Sequence, residues 1–335
     1  MRVSTLWKHC IAKVHDSSLN HLKTASCSFT ADSMSYCDGY DDKLYNKMAN
    51  DTNRTEFYRN CIAKYCSNKV VLDIGCGALA LLSVMAAESN ASKVYAIEVN
   101  ESAFRSAKKL IFEKGLSKKI EIMNGYSNRI QSLPQKCDVF IHEIIGEIAS
   151  GEGVYSVIEN AKEKFLKTTF ANTNVWSIPD YARTHLMPVE FPNREYWQSL
   201  NEKIIPNPRC NTINLWNFPF EHCLCEVSEI GLWEHIPFNG NTITQFVMDN
   251  HTFIARKSGV FGGLLSSIEI GVDKDHKMIL TSKLGSNNCM WANKLIMLDR
   301  QIEVKKGDRI YVTATTDPSE HVLKYDFSVA VETQS

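Results

Sequence analysis

The run Val70-Val71-Leu72-Asp73-Ile74-Gly75-Cys76-Gly77-Ala78 constrains the fold of this chain more than any other feature. An apolar, β-branched stretch ends in a turn with two glycines, and Ala78–Glu88 then reads as a helix former. Lacking a Cβ, glycines at such a turn let the backbone approach a ligand at the carboxyl end of a strand. The alternation continues downstream. Lys93–Ile97 reads as a strand, Glu101–Lys114 as a helix, Lys119–Met123 and Asp138–Ile141 as strands, and Tyr155–Lys167 as a helix. Strands alternating with helices build βαβ units and a parallel sheet covered on both faces, an α/β fold. Upstream, Leu44, Met48, Phe57, Ile62 and Tyr65 recur at helical intervals between Asp38 and Cys66, while residues 1–33 suggest a helical or partly ordered lead-in.

The pattern changes after Pro179. Pro188, Pro192, Pro206, Pro208 and Pro219 punctuate a stretch carrying Trp197, Trp216, Phe218, Phe220 and Trp233. From about Pro188 to Pro237 neither helical nor alternating periodicity lasts. Such a segment either packs on a partner subunit or crosses a site, or it folds back on its own domain. From Asn241 short apolar or alternating runs return: Ile243–Met248, Ser266–Val272, Met278–Thr281, Lys294–Leu298, Arg309–Thr313 and Asp326–Val331. Turn residues such as Gly262-Gly263 and Lys306-Gly307-Asp308 separate or flank them, which predicts an all-β domain, a barrel or sandwich.

Composition narrows the function classes. With 335 residues, 44% hydrophobic and 22% charged, the chain has enough apolar material for two ordinary domains. Lys plus Arg is 37 against 38 for Asp plus Glu, a net charge of −1, so there is no electrostatic footprint for nucleic acid. The longest apolar run, Ala78–Ala87, is too short to span a bilayer, and no leader pattern opens the sequence. A soluble intracellular protein is expected. Eleven cysteines with no C-x-x-C pair argue against a metal framework and for buried, reduced thiols.

Two constellations carry chemistry. Glu98 ends the second strand, where a carboxylate can accept both hydroxyl protons of a ribose. The dinucleotide fingerprint wants a third glycine where Ala80 stands, so a nucleoside without a pyrophosphate fits better, S-adenosylmethionine first among them. The plainer reading is a tight turn with no ligand. The second constellation is His142-Glu143-Ile144-Ile145-Gly146-Glu147-Ile148-Ala149-Ser150-Gly151-Glu152. Glu143 falls at the carboxyl end of a strand, and Glu152 follows nine residues on, across a loop that Gly146 and Gly151 allow to fold back. Two carboxylates so placed grip a planar guanidinium bidentately; solvated loop charges are the alternative.

This run resembles the double-glutamate loop of the protein arginine methyltransferases, S-E-x-M-G-x-x-L-x-x-E, with the same Glu-to-Glu spacing. Tyr36-Cys37-Asp38-Gly39-Tyr40 is similar to the family's Y-F-x-x-Y element, and Met48-Ala49-Asn50-Asp51-Thr52-Asn53-Arg54-Thr55 to its M-L-x-D-x-x-R-T helix. Ile178-Pro179-Asp180 looks like the junction where the family leaves its nucleotide domain for a β-barrel. The resemblance covers about residues 34–331. It implies a lead-in over 1–33, a Rossmann-like class I methyltransferase domain over 34–179, and a β-barrel substrate domain over 180–335 with an inserted dimerisation arm at about 188–237. The implied cofactor is S-adenosylmethionine. Arg54 would pair with its carboxylate, Gly75 and Gly77 would cradle it, Glu98 would hold its ribose, and Ser127 and Asn128 would meet its adenine. Tyr36 and Tyr40 would close the pocket, Met48 would sit near the sulfonium, and Glu143 and Glu152 would bind the acceptor guanidinium. The implied protein is a cytoplasmic homodimer acting on arginine, in protein or peptide or as the free amino acid, with no metal, membrane or nucleic-acid partner.

Several positions depart from the family pattern. Cys289-Met290-Trp291 stands for its T-H-W loop, so the dyad of that His with an upstream Asp, here Asp51, is lost at Met290. Tyr45 replaces a frequent His, His142 a usual Ser, and the stretch Gly77-Ala78-Leu79-Ala80-Leu81 carries an extra residue and no third glycine. Three readings follow: a methyltransferase for arginine in proteins, the same chemistry on free arginine or a small guanidine, or a noncatalytic, methyltransferase-like regulatory partner. Retention of Glu143 and Glu152 speaks against the last, because holding two repelling carboxylates together serves no structural end.

Overall fold

The computed structural model of the protein describes residues 22–32, 42–167, 175–191, 212–216, 218–226, 229–238, 246–272, 278–286, 291–317 and 322–333. Its first element departs from expectation. Lys23–Asp32 (β1) is a strand, not a helical or loosely ordered lead-in, and it pairs antiparallel along its whole length with residues 322–331 near the end of the chain. The side chains explain why. Ala25 and Cys27 are buried while Ser26 and Ser28 are exposed, and the ring of Phe29 lies 5.0 Å from that of Tyr325 and 5.9 Å from that of Phe327. Small residues alternating with serine make a weak strand signal until the partner strand completes it.

Asp42–Ala49 (α1) and Thr52–Tyr65 (α2) follow. Asp51 caps α2 by accepting from the Arg54 N–H at 3.1 Å, and Phe57, Tyr58, Cys61 and Ile62 bury the helix. The parallel sheet comprises Val70–Ile74 (β2), Lys93–Glu98 (β3), Ile120–Asn124 (β4), Val139–His142 (β5) and Ser177–Ile178 (β6). Leu81–Glu88 (α3), Glu101–Glu113 (α4) and Val154–Lys164 (α5) lie between them in sequence. The strand order is β4-β3-β2-β5-β6 with every neighbour parallel. The chain leaves β2 towards β3 on one side and returns as β5 on the other. The crevice at the carboxyl end of β2 is therefore the switch point where open α/β sheets take ligands.

The remaining strands are Tyr181–Glu190 (β7), Thr212–Leu215 (β8), Gly231–Pro237 (β9), Phe246–Ile254 (β10), Gly259–Val272 (β11), Met278–Thr281 (β12), Asn293–Val304 (β13), Arg309–Thr316 (β14) and Val322–Glu332 (β15). One antiparallel sheet runs β1-β15-β14-β10, the other β8-β13-β11-β7-β9 with β12 on β11. Both bury side chains in one core that includes Trp233, Phe253, Phe261, Tyr325 and Phe327, which makes this half a β-barrel domain. β8 and β9 lie inside the stretch read as an arm, yet both are strands of the barrel sheet. Residues 192–211 of that stretch are outside the described residues. Seven cysteines among the described residues are free and buried. No described helix is long and apolar enough to cross a membrane.

Candidate active site

The turn after β2 is where glycine is required. Gly75 and Gly77 have φ of +75° and +67°. A Cβ on Gly75 would stand 2.8 Å from Ile144 Cγ2, and one on Gly77 2.7 Å from Tyr45 Cε1. Both positions thus demand glycine by conformation and by space, because Ile144 and Tyr45 pack directly against the turn at the wall of the crevice. Ala80, at the place of the fingerprint's third glycine, also takes a left-handed conformation at φ +41°, and α3 starts only at Leu81. Glu98, at the end of β3 and 5% exposed, accepts from the Gly77 and Asn100 N–H groups, each at 2.8 Å. Burial raises its pKa against the pull of these N–H groups. Its carboxylate is thereby fixed as an acceptor on the wall of the crevice.

Two adjoining cavities open from this turn. Met48, Arg54, Gly75, Gly77, Glu98, Glu143 and Glu152 line the first, together with Tyr45. Ser127 and Asn128 line the second, with Gly125, Tyr126 and Asn160. Gly75, Val99, Ile144 and Glu152 line both, so the cavities form one trough. Arg54 and Met48 stand at one end and Ser127 and Asn128 at the other. Tyr36, Tyr40 and Met290 lie outside the described residues.

Arg54 and Glu143 form an ion pair, each side chain 8% exposed. The guanidinium donates through Nη2 to Glu143 Oε2 and through Nη1 to the Met48 carbonyl at 3.1 Å. Burial opposes the charge of Arg54, but the Glu143 carboxylate overrides it and raises the pKa. Burial likewise raises Glu143, with Arg54 acting in the opposite direction. The sequence assigned these two residues to different ligands; the structure joins them to each other at one wall of the cavity.

The acidic loop folds back on itself. A Cβ on Gly146 would sit 3.2 Å from the Ile148 carbonyl oxygen and 3.5 Å from Glu152 Cγ. Glu143 and Glu152 consequently face the same cavity from the two limbs of the loop. The barrel fastens what lies between. Trp291 Nε1 donates to the Ile145 carbonyl at 2.8 Å, Ser266 Oγ to the Glu147 carbonyl at 2.8 Å, and Asn214 Nδ2 to Glu147 Oε1 at 3.0 Å. The Ala149 N–H donates to Thr184 Oγ1 at 2.8 Å. Sequence reasoning kept Trp291 and missed Ser266, Asn214 and Thr184. Nothing local to those strands marks them, since their partners lie 35 or more positions away. Asp51, where the resemblance puts the carboxylate partner of a His, caps α2.

His142 closes β5 fully buried, its ring 4.8 Å from Phe140 and 4.9 Å from Phe238. Burial lowers its pKa from 6.5 to about 3. The unfolded chain takes up a proton below 6.5 that the folded one refuses until about 3, so the stability it contributes is present above 6.5 and is lost as pH falls. The loss at about pH 5 should be about 2 kcal/mol. The stability gap between the parent and His142→Leu, measured by urea unfolding, should therefore narrow by about 2 kcal/mol between about pH 7.5 and about pH 5. A constant gap would mean that the ring is solvated or protonated in the fold.

The trough fits a nucleoside bearing an amino-acid arm. It offers a glycine turn at its floor, a buried carboxylate for ribose hydroxyls, and at the far end the Arg54 guanidinium, which now rests on Glu143 and could take a carboxylate. Comparison with known proteins agrees. A family model described as a methyltransferase domain matches residues 66–203. The chain is 28% identical over 165 residues to probable protein arginine N-methyltransferase 6 of Arabidopsis thaliana, covering 47% of this chain and 36% of that protein. It thus spans little more than a third of that relative's length. With protein arginine N-methyltransferase 1 of Oryza sativa subsp. indica it is 24% identical over 302 residues, 85% of this chain and 74% of the other. Its fold is similar to that of Arabidopsis thaliana protein arginine methyltransferase 10, with a TM-score of 0.71 and 17% identity over 90% of this chain and 96% of that one. It is also similar to a chain of the Trypanosoma brucei PRMT1 enzyme-prozyme heterotetrameric complex with AdoHcy, at a TM-score of 0.67 and 19% identity over 87% and 93%. The chain thus carries a region that matches a methyltransferase domain and is similar, at low identity over most of its length, to protein arginine N-methyltransferases.

Proposed function

We propose that this methyltransferase acts on the guanidino group of arginine carried in a protein or peptide. The observation that carries the reading is the folded-back loop, which turns Glu143 and Glu152 towards one cavity at the glycine turn. A guanidinium already rests on Glu143, that of Arg54, so this carboxylate engages the chemical group of the acceptor in a nearly dry setting. Arg54, Gly75, Gly77 and Glu98 would hold the cofactor, with Ser127 and Asn128 at its adenine end and Met48, Tyr36 and Tyr40 around the reacting end. S-adenosylmethionine supplies an electrophilic methyl group when bound.

The work of the chain's own residues follows from the acceptor. A guanidinium is delocalised, has a pKa above about 12, and is a poor nucleophile. Glu143 and Glu152 bind it from one side and draw its charge onto the nitrogens they contact, leaving another nitrogen free to attack. Carboxylates held in place by the fold exert this pull without reorganising, which is the larger part of such catalysis. Turnover then requires loss of a proton from the substituted nitrogen.

The reading includes a cytoplasmic homodimer assembled through the aromatic segment at about 188–237. The trypanosome relative of similar fold is an enzyme-prozyme heterotetramer, which makes assembly a feature to test. A second reading, a noncatalytic regulatory partner, is favoured by one observation: the Tyr45 ring fills the space above Gly77, at the wall of the first cavity. Titration calorimetry with S-adenosylmethionine, followed by radiolabelled methyl transfer to arginine-rich peptides and free arginine in parallel, separates these. Binding with transfer to peptides is the expected result. Transfer to free arginine alone would make the acceptor small, and folded protein that binds no cofactor would leave only the regulatory partner.

A further inference from the structure

Glu234 is a carboxylate with no access to solvent, in the barrel rather than in the trough. Its described partners are neutral. Ser150 Oγ donates to Oε1 at 2.5 Å, Thr184 Oγ1 donates to Oε2, and the Ser150 N–H approaches Oε2 at 3.4 Å. Thr184 Oγ1 in turn accepts the Ala149 N–H. Because Ser150 Oγ spends its proton on Glu234, the Tyr325 hydroxyl, 3.0 Å away, donates to Ser150. Burial raises the pKa of Glu234, opposed by the Ser150 and Thr184 hydroxyls. A buried acid is costly, and here every described donor that offsets it comes from the acidic loop or from Thr184, which holds that loop.

The backbone also shows a device that aims this side chain. Thr184 pairs with Glu234, but the next residue, His185, pairs with Leu232, so a bulge interrupts the β7–β9 ladder. As a result the consecutive residues Trp233 and Glu234 are both buried, where a regular strand would turn one of them to solvent. Trp233 fills the barrel core, and Glu234 is left to reach the loop.

We propose that Glu234 is a positioning residue that sets where Glu152 stands for the acceptor, acting through Ser150 and Thr184 on the returning limb of the acidic loop. The proposal rests on the reading of Glu143 and Glu152 as the guanidinium-binding pair. Ser150 precedes Glu152 by two positions, and Ala149 by three, so their anchorage fixes the backbone from which Glu152 projects. Cofactor contacts at Gly75, Gly77 and Glu98 lie on other elements and do not pass through this network.

Glu234→Gln tests it with the full-length protein. An amide offers one acceptor oxygen and an NH2 group, so one of the two hydroxyls loses its acceptor and that tether must rearrange. S-adenosylmethionine affinity should stay within about twofold of the parent, while kcat/KM for an arginine peptide falls about ten- to a hundredfold, with the peptide KM raised. In a Glu152→Gln background the same change should cost little more, since it acts through Glu152. If Glu234→Gln does not fold, Thr184→Val and Thr184→Ser decide instead: Val should reproduce the acceptor defect and Ser restore parental kinetics. Parental peptide kinetics in Glu234→Gln or Thr184→Val would overturn the proposal, as would equal loss of cofactor and peptide binding. If Glu152→Gln itself leaves transfer unchanged, the guanidinium reading fails, a result distinct from either.

Discussion

Glu152→Gln should lower kcat/KM for an arginine peptide by about a hundred- to a thousandfold, with S-adenosylmethionine affinity nearly unchanged. The change keeps the shape of the side chain and removes its charge, so the acceptor loses the pull of one carboxylate and keeps its place. Radiolabelled transfer at varied peptide concentration reads the effect, and calorimetry reads the cofactor. Glu143→Gln should differ in kind. It breaks the ion pair with Arg54 and leaves a nearly buried guanidinium uncompensated, which costs about 3–5 kcal/mol. That variant should unfold at lower temperature without cofactor and recover part of the loss when S-adenosylmethionine, whose carboxylate can take the place of Glu143, is added. Equal activity of the parent and the Glu152 variant would remove the acidic loop from the chemistry.

The second large effect concerns stability. Deleting residues 1–32 removes β1, and with it the partner of ten residues of β15, the buried Ala25 and Cys27, and the stacking of Phe29 on Tyr325 and Phe327. A loss of roughly 3–5 kcal/mol, and so about 5 °C in Tm, is expected by scanning calorimetry. The bared edge of β15 should also make the truncated protein prone to associate through unpaired backbone groups. An unchanged Tm would mean that β1 adds nothing to the barrel.

What could be read in the sequence was local. The glycine turn, Glu98 at a strand end and the spacing of Glu143 and Glu152 are each set within a few residues of chain, and the strand-helix alternation from Val70 to Lys164 carries its own periodicity. What escaped was long-range. β1 alternates small residues with Ser and Thr, so its character depends on strand β15, some 298 positions away. β9 reads as irregular because a bulge buries Trp233 and Glu234 in succession, which breaks the alternation by which a strand is recognised. The Arg54–Glu143 pair joins residues 89 positions apart, and no pattern in one sequence links a helix cap to a strand end.

The fastening of the acidic loop to the barrel has a consequence for how acceptor affinity arises. Each residue that must be immobilised on binding takes roughly 1–2 kcal/mol of backbone entropy from the association. Here the stretch from Ile145 to Ser150 is already held by Trp291, Ser266, Asn214, Thr184 and Glu234 before any acceptor arrives. That ordering is completed during folding, so a guanidinium meets a surface that has little freedom left to lose. On the proposed function, short or weakly contacting peptides would then be held by the arginine side chain itself, with the barrel as the rigid half of a site whose charged groups belong to the other domain.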